Sequence, residues 1–367
     1  MLVRHFSRPL LRLSSAAHIT NRALSSQASL QTLRTILDHH VIGQDDTKEA
    51  FLLALLSREH VYVEGPPGVA KTMISEIVSV ATDLDYWFTQ FHRDTRLNDL
   101  IGEAVIVRTQ VPQVGEQIKH DVIPGGILTT EIAVLDDISR APGEALNVML
   151  RILQERRYGD MTENRIPLMT AIATGNPVDE EGYYGDPLDP ATLDRFTLQV
   201  RCRGLISEES WDSAGDVIDL YSRPRPLGED LGIRSINREE IIAASECVPL
   251  VIFPESCKRA LLSLLQVLRT RHLCDETTSL LTDRTFLVKA VTVMKAQAVV
   301  AGRDTCAPCD LRVLRYLTTF RVPGHVHEMI DEIIRKVVEE EEERMRREEE
   351  EEEEKKKKEK ENGEEKE

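Results

Sequence analysis

Gly65-Pro66-Pro67-Gly68-Val69-Ala70-Lys71-Thr72 is the stretch on which the reading of this chain turns. It follows a short apolar, β-rich run, Val61-Tyr62-Val63, and a helical pattern begins at Thr72. Strand, glycine-rich turn and helix, in that order, form the setting in which backbone N–H groups and a helix N-terminus cradle phosphate oxygens. All eight residues are therefore candidate nucleotide-binding positions. In such a loop Lys71 brings positive charge to the β- and γ-phosphates, and the Thr72 hydroxyl ligates Mg²⁺. One position departs from the strict Walker A pattern, because Ala70 stands where glycine is usual. Alanine lacks easy access to positive φ but favours helix, so the turn can survive.

Working outward, Ile132 to Leu135, Leu168 to Ala173 and Phe196 to Val200 read as further buried strands, and Ala145 to Arg156 as a helix. Such alternation implies an α/β fold with a parallel sheet between helices. The strand Ile132 to Leu135 runs into Asp136-Asp137, with Asp136 65 residues beyond Lys71. A carboxylate at the end of a buried strand, here Asp136, can bind Mg²⁺, and the next, Asp137, can orient or deprotonate an attacking water. The plainer alternative is an Asp pair capping a following helix. Beyond residue 205 the strand pattern stops, and Pro224 and Pro226 mark a linker over 206–235. Periodic apolar segments (Cys257 to Leu268, Arg284 to Ala301, Leu311 to Phe320) then predict an all-helical domain over 236–325. The α/β domain accordingly occupies residues 25–205.

Composition narrows the class. The 367 residues carry a net charge of −17, with 41% hydrophobic and 30% charged side chains, as in a soluble globular protein. The longest apolar run, Ala50 to Leu56, has seven residues, far short of the roughly 20 a membrane-spanning helix needs. Six cysteines are too sparse for a disulfide scaffold. The acidic balance argues against a general nucleic-acid binder. Residues 1–30 hold Arg4, Arg8, Arg12 and Arg22 and no acid; the first acid is Asp38. On a helix the first three arginines oppose Leu2, Val3, Phe6, Leu10 and Leu13. This amphipathic, Arg- and Ser-rich start reads as a mitochondrial transit peptide over 1–24, with Arg22-Ala23-Leu24 resembling a processing site. The alternative is a frayed basic terminus. At the other end, residues 339–367 contain 17 acids, 9 bases and one apolar side chain, Met345. Glu351 to Glu354 each precede a lysine of Lys355 to Lys358 by four residues, an order that favours helix. Residues 326–367 therefore read as a charged tail, either a solvated helix or disordered, with coiled coil and partner docking as further readings.

The spaced motifs resemble an AAA+ ATPase of the MoxR type, from about Val41 to Phe196 and more weakly through Phe320. Val41-Ile42-Gly43-Gln44 resembles the segment that packs on adenine. Gln90-Phe91-His92-Arg93-Asp94 and Asn98-Asp99-Leu100-Ile101-Gly102 resemble the stretch after the family's second strand. Asp136-Asp137-Ile138-Ser139-Arg140-Ala141-Pro142 is similar to D-E-I-N-R-A-P. Thr174-Gly175-Asn176-Pro177, with Glu181-Gly182, resembles sensor 1, and Leu193-Asp194-Arg195-Phe196 the L-D-R-F of an arginine finger. The resemblance implies a P-loop αβα sandwich followed by a helical lid. It implies ATP and Mg²⁺ as cofactors, bound by Val41, Ile42, Gly43 and the phosphate loop, with Thr72 and Asp136 on the metal. It makes Asn176 the residue that bonds the attacking water or γ-phosphate. It sends Arg195 into a neighbouring subunit's ATP, which requires a homo-oligomeric ring, usually a hexamer.

Two departures stand out. Asp137 replaces the usual catalytic Glu and is one methylene shorter. About 1 Å of misplacement can cost roughly 10²-fold in rate, so a slow ATPase, or one adjusted by a partner, is expected. The lid segment Ala307-Pro308-Cys309-Asp310-Leu311-Arg312 has Cys309 where an arginine is expected, and Arg312 is the candidate sensor 2. Residues 104–123 and 157–167 read as hairpins of the kind that line the central pore and touch a client in relatives. Cys306-Ala307-Pro308-Cys309 lacks the second ligand pair that structural zinc needs. The implied activity is ATP-driven remodelling or assembly of a client protein, with metal or cofactor insertion as one form of it. The partner would be separate and carry a von Willebrand factor A domain. The rivals are a motor subunit of a chelatase-type complex and a non-hydrolysing nucleotide-binding scaffold ring. A nucleic-acid motor is weaker, since segment 104–123 offers only Arg108 and Lys119 as bases.

Overall fold

The computed structural model describes residues 27–66, 68–111, 115–158, 165–177, 188–204, 211–222, 236–275, 277–281 and 284–364. The transit-peptide reading of 1–24, Pro67 and the segment Glu181-Gly182 lie outside them. The chain divides into two compact units, Asn21–Glu246 and Cys247–Glu367.

The first unit is built on a five-stranded sheet. Its strands are β1 (Val61–Glu64), β2 (Tyr86–Gln90), β5 (Ile132–Asp136), β6 (Thr170–Gly175) and β7 (Leu198–Arg201). All neighbours are parallel, in the order β2-β5-β6-β1-β7. A parallel sheet is covered on both faces, so its strands are continuous apolar runs rather than alternating ones. Ile132, Ala133, Val134 and Leu135 are all fully buried for this reason. Four of the five strands are legible in the sequence as apolar runs. β2 was missed because it lies at a sheet edge and is only partly covered.

Surrounding helices are α1 (residues 27–40), α2 (Asp45–Ser57), α3 (Lys71–Thr82), α4 (Leu97–Ile101), α5 (Gly143–Glu155), α6 (Pro190–Leu193), α7 (Trp211–Ser222) and α8 (Arg238–Cys247). The Ala50 to Leu56 run lies on α2, which packs on β1, β6 and β7 and is buried along that whole length. α3 packs on β5 and β6. A fully buried Leu or Ile contributes about 1.5–3 kcal/mol, and Leu33, Leu37, Leu53, Leu56, Ile74 and Ile77 are all fully buried here. Between α4 and the rest of the sheet unit, β3 (Gly102–Val111) and β4 (Gly115–Pro124) form an antiparallel two-stranded ribbon. The two strands of the hairpin expected over 104–123 are present, and its tip, residues 112–114, lies outside the described residues. Arg157 and Arg165 bridge antiparallel at the base of the second expected hairpin, whose tip lies outside the described residues.

Register fixes what meets at the carboxyl edge of the sheet. Glu64 lies opposite Gly175, Leu135 opposite Ala173, and Gln90 opposite Asp136. The strand order reverses beside β1, with β7 on one side and β6 on the other. Ligands of open parallel sheets bind at such a switch point, at the carboxyl ends of the strands.

The second unit is helical, with α9 (Glu255–Arg271), α10 (Arg284–Val300), the tight turns of Pro308–Leu314, α11 (Arg315–Thr318), α12 (Gly324–His327) and α13 (Ile330–Glu364). Asp310 is buried and paired to both guanidinium arms of Arg303. The tail reading resolves to helix. α13 runs for 35 residues, about 52 Å at 1.5 Å per residue. Its first turns are part of the packed unit: Ile330, Ile333, Ile334, Val337 and Glu341 form one buried stripe. Arg259 of α9 holds Glu341 at 2.6 Å and Glu348 at 3.3 Å. Residues 346–355 are exposed throughout.

Two sequence boundaries need correction. The unit border falls after Glu246, not at 235, because α8 belongs with the sheet. The expected linker 206–235 contains the helix α7. Pro224 and Pro226 read as linker, but Ala214, Val217 and Ile218 before them carry the apolar i, i+3, i+4 spacing of a helix.

Candidate functional site

The phosphate loop leaves β1 at Glu64 and enters α3 at Lys71. Its glycines do different things. A Cβ on Gly65 would lie 2.7 Å from Cys202 Cβ, so β7 closes against the loop only because that atom is missing. Gly68 takes φ 87°, the left-handed region open to glycine. Ala70 caps α3 at φ 63° and ψ 18°. The departure noted in sequence is thus a real conformational cost, since alanine enters the left-handed region at about 1–2 kcal/mol.

Lys71 is buried and folds back over the loop. It donates to the Gly65 carbonyl, to the Gly175 carbonyl at 3.0 Å and to Asn176 Oδ1 at 3.2 Å. Burial pulls its pKa below the ordinary lysine value, partly opposed by Cys202, Asp136, Asp137 and Glu64. Burial likewise raises Glu64, against Arg201 at 3.4 Å and Lys71.

The acidic pair leaves β5 beside the end of β6. Thr174 Oγ1 donates to Asp136 Oδ1 at 2.5 Å and accepts from the Asp137 N–H at 3.2 Å. Asn176 Nδ2 donates to Asp137 Oδ1 at 2.9 Å, and Arg140 Nε lies 3.6 Å from Asp137 Oδ2. Asp137 itself is left-handed, φ 52° and ψ 46°. Aspartate tolerates that region far better than most residues. The pair therefore begins a tight turn over Ile138–Arg140 rather than capping a long helix directly.

These groups open onto one cavity of about 990 Å³. Pro66, Gly68, Val69, Ala70, Lys71 and Thr72 line one end, with Asp136, Asp137, Asn176 and Gln90 beside them. His40, Val41, Ile42 and Gln44 line another part, with Ala214, Val217, Ile218 and Leu220 of α7. Gly43 and Gly65 shape backbone without lining it; Gly43 has φ 71°. The arrangement has a cationic, N–H-rich end next to two carboxylates, and an apolar wall elsewhere. That suits a nucleotide, with phosphates at the loop and the base against the aliphatic side chains. Thr72 and Asp136 offer oxygen ligands, and Mg²⁺ is usually held by one or two such protein groups together with substrate phosphates. The donor set fits the cation.

Sequence reasoning gave no site role to several contributors, among them His40, Gln90, α7 and Thr174. Gln90 enters through its register with Asp136, α7 through the misread linker, and Thr174 through a hydroxyl whose partners are invisible in one dimension. Arg195 does not line the cavity. It follows α6, which Asp189 caps by accepting the Thr192 N–H at 3.0 Å. Its Nη1 reaches Ala191 O at 3.4 Å, and its Nε is buried with no hydrogen-bond partner among the described residues. Arg312 lies in Pro308–Leu314 of the helical unit. Among the described residues no three His, Cys, Asp or Glu are placed to hold a metal ion together, and Cys306 is buried while Cys309 is exposed.

Residues 60–196 match the AAA domain family, dynein-related subfamily. That span holds the phosphate loop, the acidic pair, Asn176 and Arg195. The chain is 33% identical over 162 residues to the chaperone MoxR1 of Mycobacterium tuberculosis, covering 44% of this chain and 40% of MoxR1. It is 28% identical over 165 residues to the protein MoxR of Methylorubrum extorquens, covering 44% and 45% of the two chains. The chain carries a MoxR-like AAA domain. Likeness beyond that domain comes from YeaC of Bacillus subtilis, 27% identical over 288 residues, 77% of this chain and 82% of YeaC. A crystal structure of a candidate ATPase from Cytophaga hutchinsonii superposes with a TM-score of 0.67 at 21% identity, over 89% of this chain and 98% of the other. That likeness establishes the fold of the AAA domain and the helical unit after it. These two MoxR matches each cover less than half of either protein. No helix among the described residues is long and apolar enough to cross a membrane.

Proposed function

We propose that this chain is a Mg²⁺-dependent ATPase that works as a homo-oligomeric ring, a hexamer, to remodel or help assemble a client protein. The observation that carries the reading is the convergence of Lys71, Asp136, Asp137 and Asn176 on one cavity at the carboxyl edge of a parallel sheet. Lys71 and the loop N–H groups hold the phosphates. Bound Mg²⁺ would neutralise charge on the transferring phosphoryl group, with Thr72 and Asp136 as its protein ligands. Asp137 orients the attacking water and takes its proton, and Asn176 fixes the Asp137 carboxylate. Val41 and Ile42 pack against the base.

Arg195 supports the ring. It stands outside its own subunit's cavity, as a finger serving a neighbour's nucleotide would. Arg312 is the proposed sensor 2. The β3–β4 ribbon is the proposed client contact, and a separate partner with a von Willebrand factor A domain the proposed adaptor. The acid-free, Arg-rich start supports delivery to the mitochondrial matrix.

The test is phosphate release from residues 25–367 with ATP and Mg²⁺, beside Lys71→Ala and Arg195→Ala. Turnover lost in both variants, with Arg195→Ala still binding ATP, supports the ring ATPase. Tight ATP binding without turnover, unchanged by Arg195→Ala, would replace it with the scaffold reading.

A further inference from the structure

We propose that Thr174 is a positioning residue of the nucleotide site, its hydroxyl coupling the cation ligand Asp136 to the backbone of Asp137. The inference rests on the ATPase reading and deepens it.

The pairing of β5 with β6 sets Leu135 opposite Ala173, so Asp136 emerges beside Thr174. Thr174 is wholly buried. A β-branched residue there has a stiff χ1, which aims its hydroxyl in one direction. A carboxylate can only accept, so at 2.5 Å the proton between Thr174 Oγ1 and Asp136 Oδ1 belongs to the threonine. With its proton committed, the hydroxyl meets the Asp137 N–H at 3.2 Å as an acceptor. One hydroxyl thereby fixes two things. It occupies one oxygen of Asp136 and orients the carboxylate so that the second is presented to a cation. It also satisfies the N–H of a residue held at φ 52°, the turn from which the Asp137 side chain reaches Asn176.

The rival role is packing. Threonine and valine have the same shape, and both suit a buried strand, so if packing were the whole role Val would serve equally well. Groups that orient a metal ligand from behind typically govern metal affinity by roughly ten- to hundredfold.

The experiment compares wild type, Thr174→Val and Thr174→Ser in the full chain. Mn²⁺ binding in the presence of ATP is read by electron paramagnetic resonance. Affinity for a fluorescent ATP analogue is measured in excess EDTA, and melting temperature alongside. The expected result is Mn²⁺ affinity weakened roughly ten- to hundredfold in Thr174→Val, regained in Thr174→Ser, with EDTA affinity unchanged in both. Equal Mn²⁺ affinity in Thr174→Val and wild type overturns the proposal. So does parallel loss of EDTA affinity and melting temperature in both variants, which would mark a packing role. A wild type that binds no nucleotide overturns the ATPase reading itself, and the inference with it.

Discussion

Asn176 donates a hydrogen bond to Asp137 across 2.9 Å, and the same amide accepts one from Lys71 at 3.2 Å. The residue that fixes the proposed water-orienting carboxylate is thus tied to the residue that meets the phosphates. Asn176→Ala should leave ATP binding close to wild type and cut turnover sharply. Asn176→Asp should be worse, because it sets a second carboxylate against Asp137. Nucleotide affinity and phosphate release, measured on the same samples, check this. Equal loss of affinity and turnover would remove Asn176 from the chemistry.

Asp137 couples side chain and backbone. Asn shares its tolerance of the left-handed region, so Asp137→Asn should fold and bind ATP as wild type while losing about 10²-fold or more in turnover. Asp137→Glu installs the residue that the family resemblance leads one to expect but places a longer side chain at φ 52°. It should melt lower and turn over no faster. Faster turnover in Asp137→Glu would show that side-chain length, not this turn, limits the rate.

Lys71 gives the site a pH signature. Burial lowers its pKa, and the neutral amine attracts no phosphate. ATP affinity should therefore fall as pH rises, with a midpoint below the ordinary lysine value of 10.5. In Lys71→Arg, whose guanidinium stays protonated, the alkaline fall should vanish whatever its absolute affinity. Equilibrium titrations from neutral to alkaline pH decide it.

Ala70 holds a left-handed backbone at a steric cost that glycine, lacking a Cβ, does not incur. The relief on substitution, about 1–2 kcal/mol, is partly offset by the greater freedom of glycine in the unfolded chain, about 0.5–1 kcal/mol. Ala70→Gly should therefore raise the melting temperature slightly and keep ATP binding, while Ala70→Val should lower it. Calorimetry with and without nucleotide separates the two effects.

Gly175 is required by a neighbour. A Cβ there would stand 2.2 Å from the Tyr62 hydroxyl. Gly175→Ala should destabilise the sheet edge and loosen the carbonyl that Lys71 uses. Adding Tyr62→Phe should recover part of the loss, because the ring carbon behind the hydroxyl is 3.0 Å away. Full additivity of the two substitutions in denaturant melts would exclude this contact as the cause.

The linear sequence determined the phosphate loop, the acidic pair, the sensor segment and the order of strand and helix in the AAA domain. The reason is local: a strand buried on both faces is a contiguous apolar run, and a loop that cradles phosphate needs its residues at fixed spacing. It also announced the helical C-terminal unit through apolar periodicity. Tertiary structure alone decided the rest. Thr174 meets Asp136 only because β6 pairs with β5 in one register, and Gln90 meets it only through β2, whose partly covered edge leaves a weak pattern. α7 reaches the cavity from a stretch whose prolines read as linker. The left-handed turn at Asp137 is a backbone state that no side-chain pattern records; at Ala70 the glycine usual in the loop only hinted at one. Pairing across more than 30 residues of intervening chain, from Asp136 to Thr174, placed the hydroxyl that joins the Asp136 carboxylate to the Asp137 backbone N–H, and that pairing exists only once the sheet has formed.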